Sequence, residues 1–332
     1  MPIGRVWRTP VPSGRARRTS RVTCPAVAGG GQKAVIAAFF ANLGIAIAKF
    51  VGFFITASAS MLAEAVHSVA DTSNQALLLL GGKKARREPT PMHPFGYARE
   101  RYFWSFVVAI VLFAGGGLFA LYEAEEKLRH PHEIESATVA IVILVLAIAL
   151  ETWSLRTAIV ESRKVKGDQS WWEFIRHSKS AELPVVLLED IGAELGLIFA
   201  LVGVILADVT GNPRWDAMGS LVIGILLVVI SLTLAGEMKS LLIGESATEE
   251  DADKIRSTIE RDARVRRVIH MRTQQLGPEE LMVGAKIELA SDLTIDEVTN
   301  AINELETAVR ESVPAARVMY LEPDRFVEAA PA

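Results

Sequence analysis

Six apolar stretches dominate the chain before residue 245, at about 34–56, 60–81, 103–122, 137–156, 183–208 and 215–236. Each approaches the roughly 20 residues that a helix needs to cross a bilayer. Together they predict six transmembrane helices, a transport domain over residues 34–240. The polar positions inside them are few. Asn42 and Lys49 fall in the first stretch, Glu64, His67 and Asp71 in the second, Glu151 in the fourth, and Glu189, Asp190 and Glu194 in the fifth. Ionisable side chains at bilayer depth are costly and tend to face a polar cavity or pathway.

Past residue 245 the pattern changes to that of a soluble domain, placed at 245–325. Thr248-Glu-Glu-Asp251 has the form of a helix start, with acids complementing the dipole. The helix runs to about Asp262. Val265–Gln275 and Leu281–Leu289 alternate as strands around the turn Gly277-Pro-Glu-Glu280. Thr294-Ile-Asp-Glu297 is a capping-box pattern that opens a helix to about Val313, and Ala316–Glu322 is a third strand. The order αββαβ predicts a small ferredoxin-like α+β domain, with helices on one face of an antiparallel sheet. Its edges and open face suit a homodimer contact. The expected fold class is therefore an α-helical membrane protein of six transmembrane helices, followed by a small cytoplasmic αββαβ domain.

Charge orients this arrangement. The loop after the second stretch carries Lys83, Lys84, Arg86, Arg87, Arg99 and Arg101, and that after the fourth carries Arg156, Arg163, Lys164, Lys166, Arg176 and Lys179. The loop after the third has only Lys127 and Arg129 among five acids, and that after the fifth has Arg214 alone. By the positive-inside rule both termini are cytoplasmic. Residues 1–33 hold seven cations and no acid. They read as a basic disordered tail; an organelle transit peptide is also Arg-rich and acid-poor, but this segment lacks a helical apolar face. A misassigned start codon is the third alternative. The expected setting is a multi-pass protein of the bacterial plasma membrane, with the lipid membrane as partner and no nucleic-acid partner.

Composition narrows the chemistry. Half the residues are hydrophobic and the mean hydropathy is +0.29. The single cysteine, Cys24, excludes an internal disulfide and a cysteine-based zinc site. No nucleophile–base pair is evident, so an enzyme is not expected. His67 and Asp71 stand at i, i+4, on one helix face, and make half of a tetrahedral site for a divalent metal. Asp190 and Glu194 repeat that spacing in the fifth stretch, with Glu189 turned about 100° away. One or two of these acids complete the site. One imidazole with two or three carboxylates suits Zn²⁺, Mn²⁺, Fe²⁺ or Co²⁺ and not Cu⁺. Imidazole titrates near neutral pH, so His67 offers exchange of a proton for a metal ion.

Other features carry less. Asn42, Lys49 and Glu151 either shape a path or lock helices together, and structural pairing is the preferred reading of each. Gly115-Gly-Gly117 permits close helix approach. His130 and His132 belong to an acidic loop read as solvated. Trp171 and Trp172 suit an anchor at the cytoplasmic interface.

The chain resembles the cation diffusion facilitator family after about residue 33. The resemblance is carried by Lys49 before Ser58-Ala-Ser60, by Ala63-Glu-Ala-Val-His-Ser-Val-Ala-Asp71, by His93-Pro-Phe-Gly-Tyr-Ala-Arg-Glu100, and by Leu188-Glu-Asp190. Arg101-Tyr-Phe-Trp-Ser105 points to the branch of the mitochondrial zinc transporters and their bacterial relatives. The resemblance implies a homodimeric antiporter that exports a divalent metal, foremost Zn²⁺, in exchange for protons, with no prosthetic group. It places the ligands on His67, Asp71 and Asp190. The family's remaining histidine falls on Val186, which cannot ligate, leaving Glu189 and Glu194 as substitutes. Glu189 belongs to the branch-like motif, whereas helix geometry favours Glu194. In the loop after the second stretch His93 remains, but Tyr97 replaces a second histidine. In the cytoplasmic domain Ile269 and Tyr320 stand where histidines are expected and only His270 is present, so its dimer contact should not depend on bridging metal. The alternative function is a non-transporting metal sensor or scaffold that signals through the cytoplasmic domain.

Overall fold

The computed structural model describes residues 29–56, 59–131, 137–180 and 182–327, with the side chains of 29–32, 52, 53, 55, 56, 59–67 and 70 outside that description. The N-terminal tail reading therefore lies outside the described residues. Six long helical runs form a bundle: α1 (Gly29–Thr56), α2 (Ala59–Ala85), α3 (Glu100–Val111) continuing through a π-helical segment Leu112–Leu118 into α4 (Phe119–Arg129), α5 (Ala137–Lys166), α7 (Glu182–Thr210) and α8 (Arg214–Ile243). A short helix α6 (Trp171–His177) joins α5 to α7. Among the described residues, five of the long runs are long and apolar enough to cross a membrane. The remaining one, α2, has 27 residues. At 1.5 Å per residue that is ample to span, and it packs in the same bundle against α1 and α3.

The bundle is apolar outside as well as inside. On α1, Phe40, Ile47, Val51 and Phe54 are exposed at helical spacing, Phe54 by 79%. Val202, Ile205 and Val209 on α7, and Val222, Ile225 and Val229 on α8, do the same. Apolar stripes that point away from the core are what lipid chains cover. The polar side chains turn inward instead. Asn42, Lys49, Asn74, Gln75, Glu151, Glu189 and Asp190 are all buried.

Three local features depart from the expected pattern. The third span is not a uniform α-helix: its π-helical segment contains the glycine triplet. Gly116 and Gly117 do pack closely on Leu227 and Val228 of α8, whereas Gly115 faces open space. The loop after the fourth span holds α6, whose start is fixed by a capping box between Ser170 and Glu173. Trp171 and Trp172 sit on this helix, under Lys166 and Arg176 respectively.

The C-terminal module runs α9 (Glu249–Glu260), β1 (Val265–Gly277), β2 (Glu280–Leu289), α10 (Ile295–Ser312) and β3 (Ala316–Pro323). The capping box at Thr294 and Glu297 is formed. Leu281, Val283, Ala285 and Ile287 of β2 alternate inward beneath Ile255, Ile259, Leu305 and Val309 of the helices. The sheet is mixed, which corrects the antiparallel expectation. β1 and β2 form an antiparallel hairpin, but β3 pairs with β2 in parallel. The cause is connectivity: α10 carries the chain back along the sheet before β3 begins, and a helical crossover yields a parallel pair. β2 is therefore central, and β1 and β3 are edges.

The module rests against the basic loops. Lys179 Nζ reaches Glu245 Oε2 at 2.5 Å, Gln275 N donates to Glu245 O at 2.7 Å, and Gly277 abuts Ala98. Arg101 at the start of α3 pairs with Glu182 at the start of α7, one guanidinium nitrogen lying 2.8 Å from Oε2. The cationic loops and the soluble module thus occupy one end of the bundle.

Candidate cation site

α5 and α7 run antiparallel in direct contact, and their polar side chains pair across the seam. Asp190, 1% exposed, accepts a hydrogen bond from Ser154 Oγ at Oδ2 over 2.8 Å. Its second oxygen, Oδ1, is buried without a hydrogen-bond partner among the described residues. One turn along α7, Glu194 Oε1 accepts from Thr152 Oγ1 at 2.9 Å, and Glu194 Oε2 is again buried without a partner among the described residues. Glu189 faces another neighbour. Asn74 Nδ2 and Gln75 Nε2 of α2 donate to its two carboxylate oxygens at 3.1 and 2.6 Å. The 100° that separates Glu189 from Asp190 on the helix thus sends one to α2 and the other to α5.

Glu151 of α5, also 1% exposed, completes the group. The charges of Asp190, Asp71, Glu189 and Glu194 all act on it, and Asp71 also acts on Glu189. Asp71 is half-buried on α2. Carboxylates from α2, α5 and α7 are therefore close enough to repel one another in a poorly screened interior. His67 belongs to α2, one turn from Asp71, but its side chain lies outside the described residues. Among the described residues, no three histidine, cysteine, aspartate or glutamate side chains converge tightly enough to hold a metal ion in this conformation.

The buried polar partners were the part that sequence patterning did not single out. Asn74 and Gln75 lie a turn beyond Asp71 in an apolar helix, and Ser154 stands at i+3 from Glu151. Those spacings were visible signals. The other candidates fall elsewhere. His93 stacks on Tyr97 at 4.6 Å in the exposed loop between α2 and α3. His130 is exposed at the end of α4, whereas His132 lies outside the described residues.

The sequence that builds this six-helix bundle and its three-stranded module matches known protein families. Residues 35–243 match the cation efflux transmembrane domain, and residues 247–320 match the cation efflux protein cytoplasmic domain. The chain belongs to the cation efflux family. It is thereby a multi-pass membrane protein, as the resemblance to cation diffusion facilitators implied. Relatives of this cation efflux protein include the mitochondrial proton-coupled zinc antiporter SLC30A9 of Xenopus laevis, 34% identical over 84% of the chain and 52% of the relative. The human form is 35% identical over 72% of the chain and 43% of the relative. The zinc transporter ZitB of Escherichia coli is 25% identical over 74% of each. The chain spans about half the length of the SLC30A9 relatives that it matches.

Proposed function

We propose that this cation efflux protein exchanges a divalent metal, Zn²⁺ in the first instance, for protons, and exports the metal from the cytosol. The observation that carries this reading is the buried Asp190 carboxylate, with one oxygen lacking a partner among the described residues, one turn of α7 from Glu194 and acting together with Asp71 on the buried Glu151. Acids gathered in that way need a cation between them, and a metal ion and protons are alternative occupants. The names of relatives from frog, human and Escherichia coli supply zinc as the metal, and the SLC30A9 names supply the proton coupling.

In this reading His67 and Asp71 of α2 and Asp190 of α7 hold the ion. Glu194 supplies a further oxygen in preference to Glu189, because Glu189 has both oxygens engaged by Asn74 and Gln75. Metal enters when the site faces the end that bears the basic loops and leaves when it faces the other, with protons returning; rocking of the bundle alternates access. The basic loops and the soluble module share one end, which supports a cytoplasmic location for both termini. Homodimer formation falls to the soluble module.

The test is reconstitution of the purified protein into liposomes that contain a pH dye. Zinc added outside is expected to drive proton counterflow, and H67A and D190N are expected to abolish it while retaining the wild-type elution profile. Undiminished flux in both variants would overturn the site.

A further inference from the structure

The site residues proposed above, His67, Asp71 and Asp190, come from two helices, α2 and α7. In this chain the α7 position that would carry the second histidine is Val186, fully buried and without a donor atom. The structure offers a replacement from a third helix. Ser154 touches Asp190, and Thr152 touches Glu194. Those two contacts fix how α5 lies against α7. Glu151 stands three residues from Ser154, so its side chain leaves the same face of α5, about 4.5 Å further along the axis. That displacement runs from the level of Asp190 toward that of Glu194.

Glu151 is as fully buried as Asp190, and the Asp190 charge is the foremost of the four carboxylate charges that act on it. The nearby Asp190 Oδ1 is buried and has no hydrogen-bond partner among the described residues, an acceptor suited to a cation. Acids of two other helices, α2 and α7, act on Glu151.

We propose that Glu151 is a cation ligand contributed by α5, so that three helices and not two build the transport site. This rests on the reading of Asp190 as a ligand. It also bears on selectivity. One more carboxylate oxygen, in place of the family's imidazole, favours hard ions such as Mn²⁺ relative to Zn²⁺. Ser154 is then a positioning residue that orients Asp190 toward the same ion.

The experiment measures affinity for Zn²⁺ and for Mn²⁺ by titration calorimetry on the purified full-length protein in nanodiscs, for wild type, E151Q, S154A and D190N. E151Q is expected to weaken Mn²⁺ binding by about a hundredfold and Zn²⁺ binding less, and S154A to weaken both by about tenfold. Should E151Q lose its monodisperse elution, E151D, which keeps the charge on a shorter side chain, is read in its place. Wild-type affinity and an unchanged Mn²⁺/Zn²⁺ ratio in the Glu151 variant, with binding lost in D190N, would overturn the assignment of Glu151 alone. Wild-type affinity in both would overturn the Asp190 site and this inference with it.

Discussion

Gln75 Nε2 donates to Glu189 Oε2 across 2.6 Å, between two buried side chains 114 residues apart in sequence. With Asn74 on the other oxygen, the contact ties α2 to α7 beside the acid cluster. A carboxyl group held by two amides satisfies a buried donor on each of them. Glu189→Gln removes one acceptor and leaves a buried donor unmade, which costs about 1–3 kcal/mol. The expected outcome is a lower thermal midpoint in detergent with unchanged zinc affinity. Lost zinc affinity at an unchanged midpoint would move Glu189 from helix pairing into the cation site.

A second expectation concerns the glycines of the π-helical segment. A Cβ at Gly117 would lie 2.7 Å from Val228 Cγ2 and 3.1 Å from the Val228 backbone nitrogen. The backbone of α8 cannot rotate away as a side-chain tip can, so Gly117→Ala should destabilise by about 1–3 kcal/mol, the range for overpacking. Gly115 meets nothing within 4 Å. Gly115→Ala should be neutral or stabilising by up to about 1 kcal/mol through helix propensity. Thermal midpoints of the two variants in detergent check the order. The reverse order would show that Gly117 is not at a packed seam.

The two variants also mark where sequence patterning stops. Apolar length announces the six runs, because bilayer thickness sets a number of residues that the chain must meet. The acids of α2 and α7 are equally legible, since charge is costly at that depth and i, i+4 spacing fixes a shared face. Pairing is what spacing leaves open. Glu189 and Asp190 are adjacent in sequence, yet one binds amides of α2 and the other a hydroxyl of α5. Glu151 is the one acid of its apolar stretch, 137–156, and so reads as a structural acid until α5 is laid against α7. The π-helical segment likewise has no signature beyond its glycines, and the parallel β3 follows from the α10 crossover, which strand alternation does not encode. α6 was within reach: Ser170 and Glu173 form a capping box that the basic loop around them obscures.

The join between bundle and soluble module should respond to acid. Glu245 is partly buried, which works to raise its carboxyl, but hydrogen bonds from Lys179 and Ser240, with the Lys179 charge, together outweigh that and hold it below the usual glutamate range. A group whose folded value is depressed contributes stability above its unfolded pKa and loses it as pH falls through the folded value. The contact is therefore intact at neutral pH and fades on acidification below about 4.3, the ordinary glutamate value. Glu245→Gln should lower the thermal midpoint at pH 7, and the gap from wild type should close as the pH drops below that value. A gap independent of pH would assign the effect to packing and not to the ion pair.

Dimer contact through the soluble module should survive metal removal. From residue 245 to 327 the sequence has one histidine, His270, and no cysteine. On β3, Tyr320 is 60% exposed, on the sheet face away from the helices. Lys286, on the same face of β2, already engages Glu322 and Asp324, at 3.2 and 2.7 Å. Those two acids are thus satisfied by an ammonium group and are poor bridging ligands. Exposed edges and an open sheet face of this kind are covered by apolar and backbone contacts. Excess EDTA is accordingly expected to leave the mass of the detergent-solubilised protein at two copies, measured by light scattering with the detergent subtracted. Met282→Glu, which puts an unpaired charge on that face, is expected to shift it toward one. Dissociation by EDTA alone would require a bridging metal and would refute an apolar dimer contact.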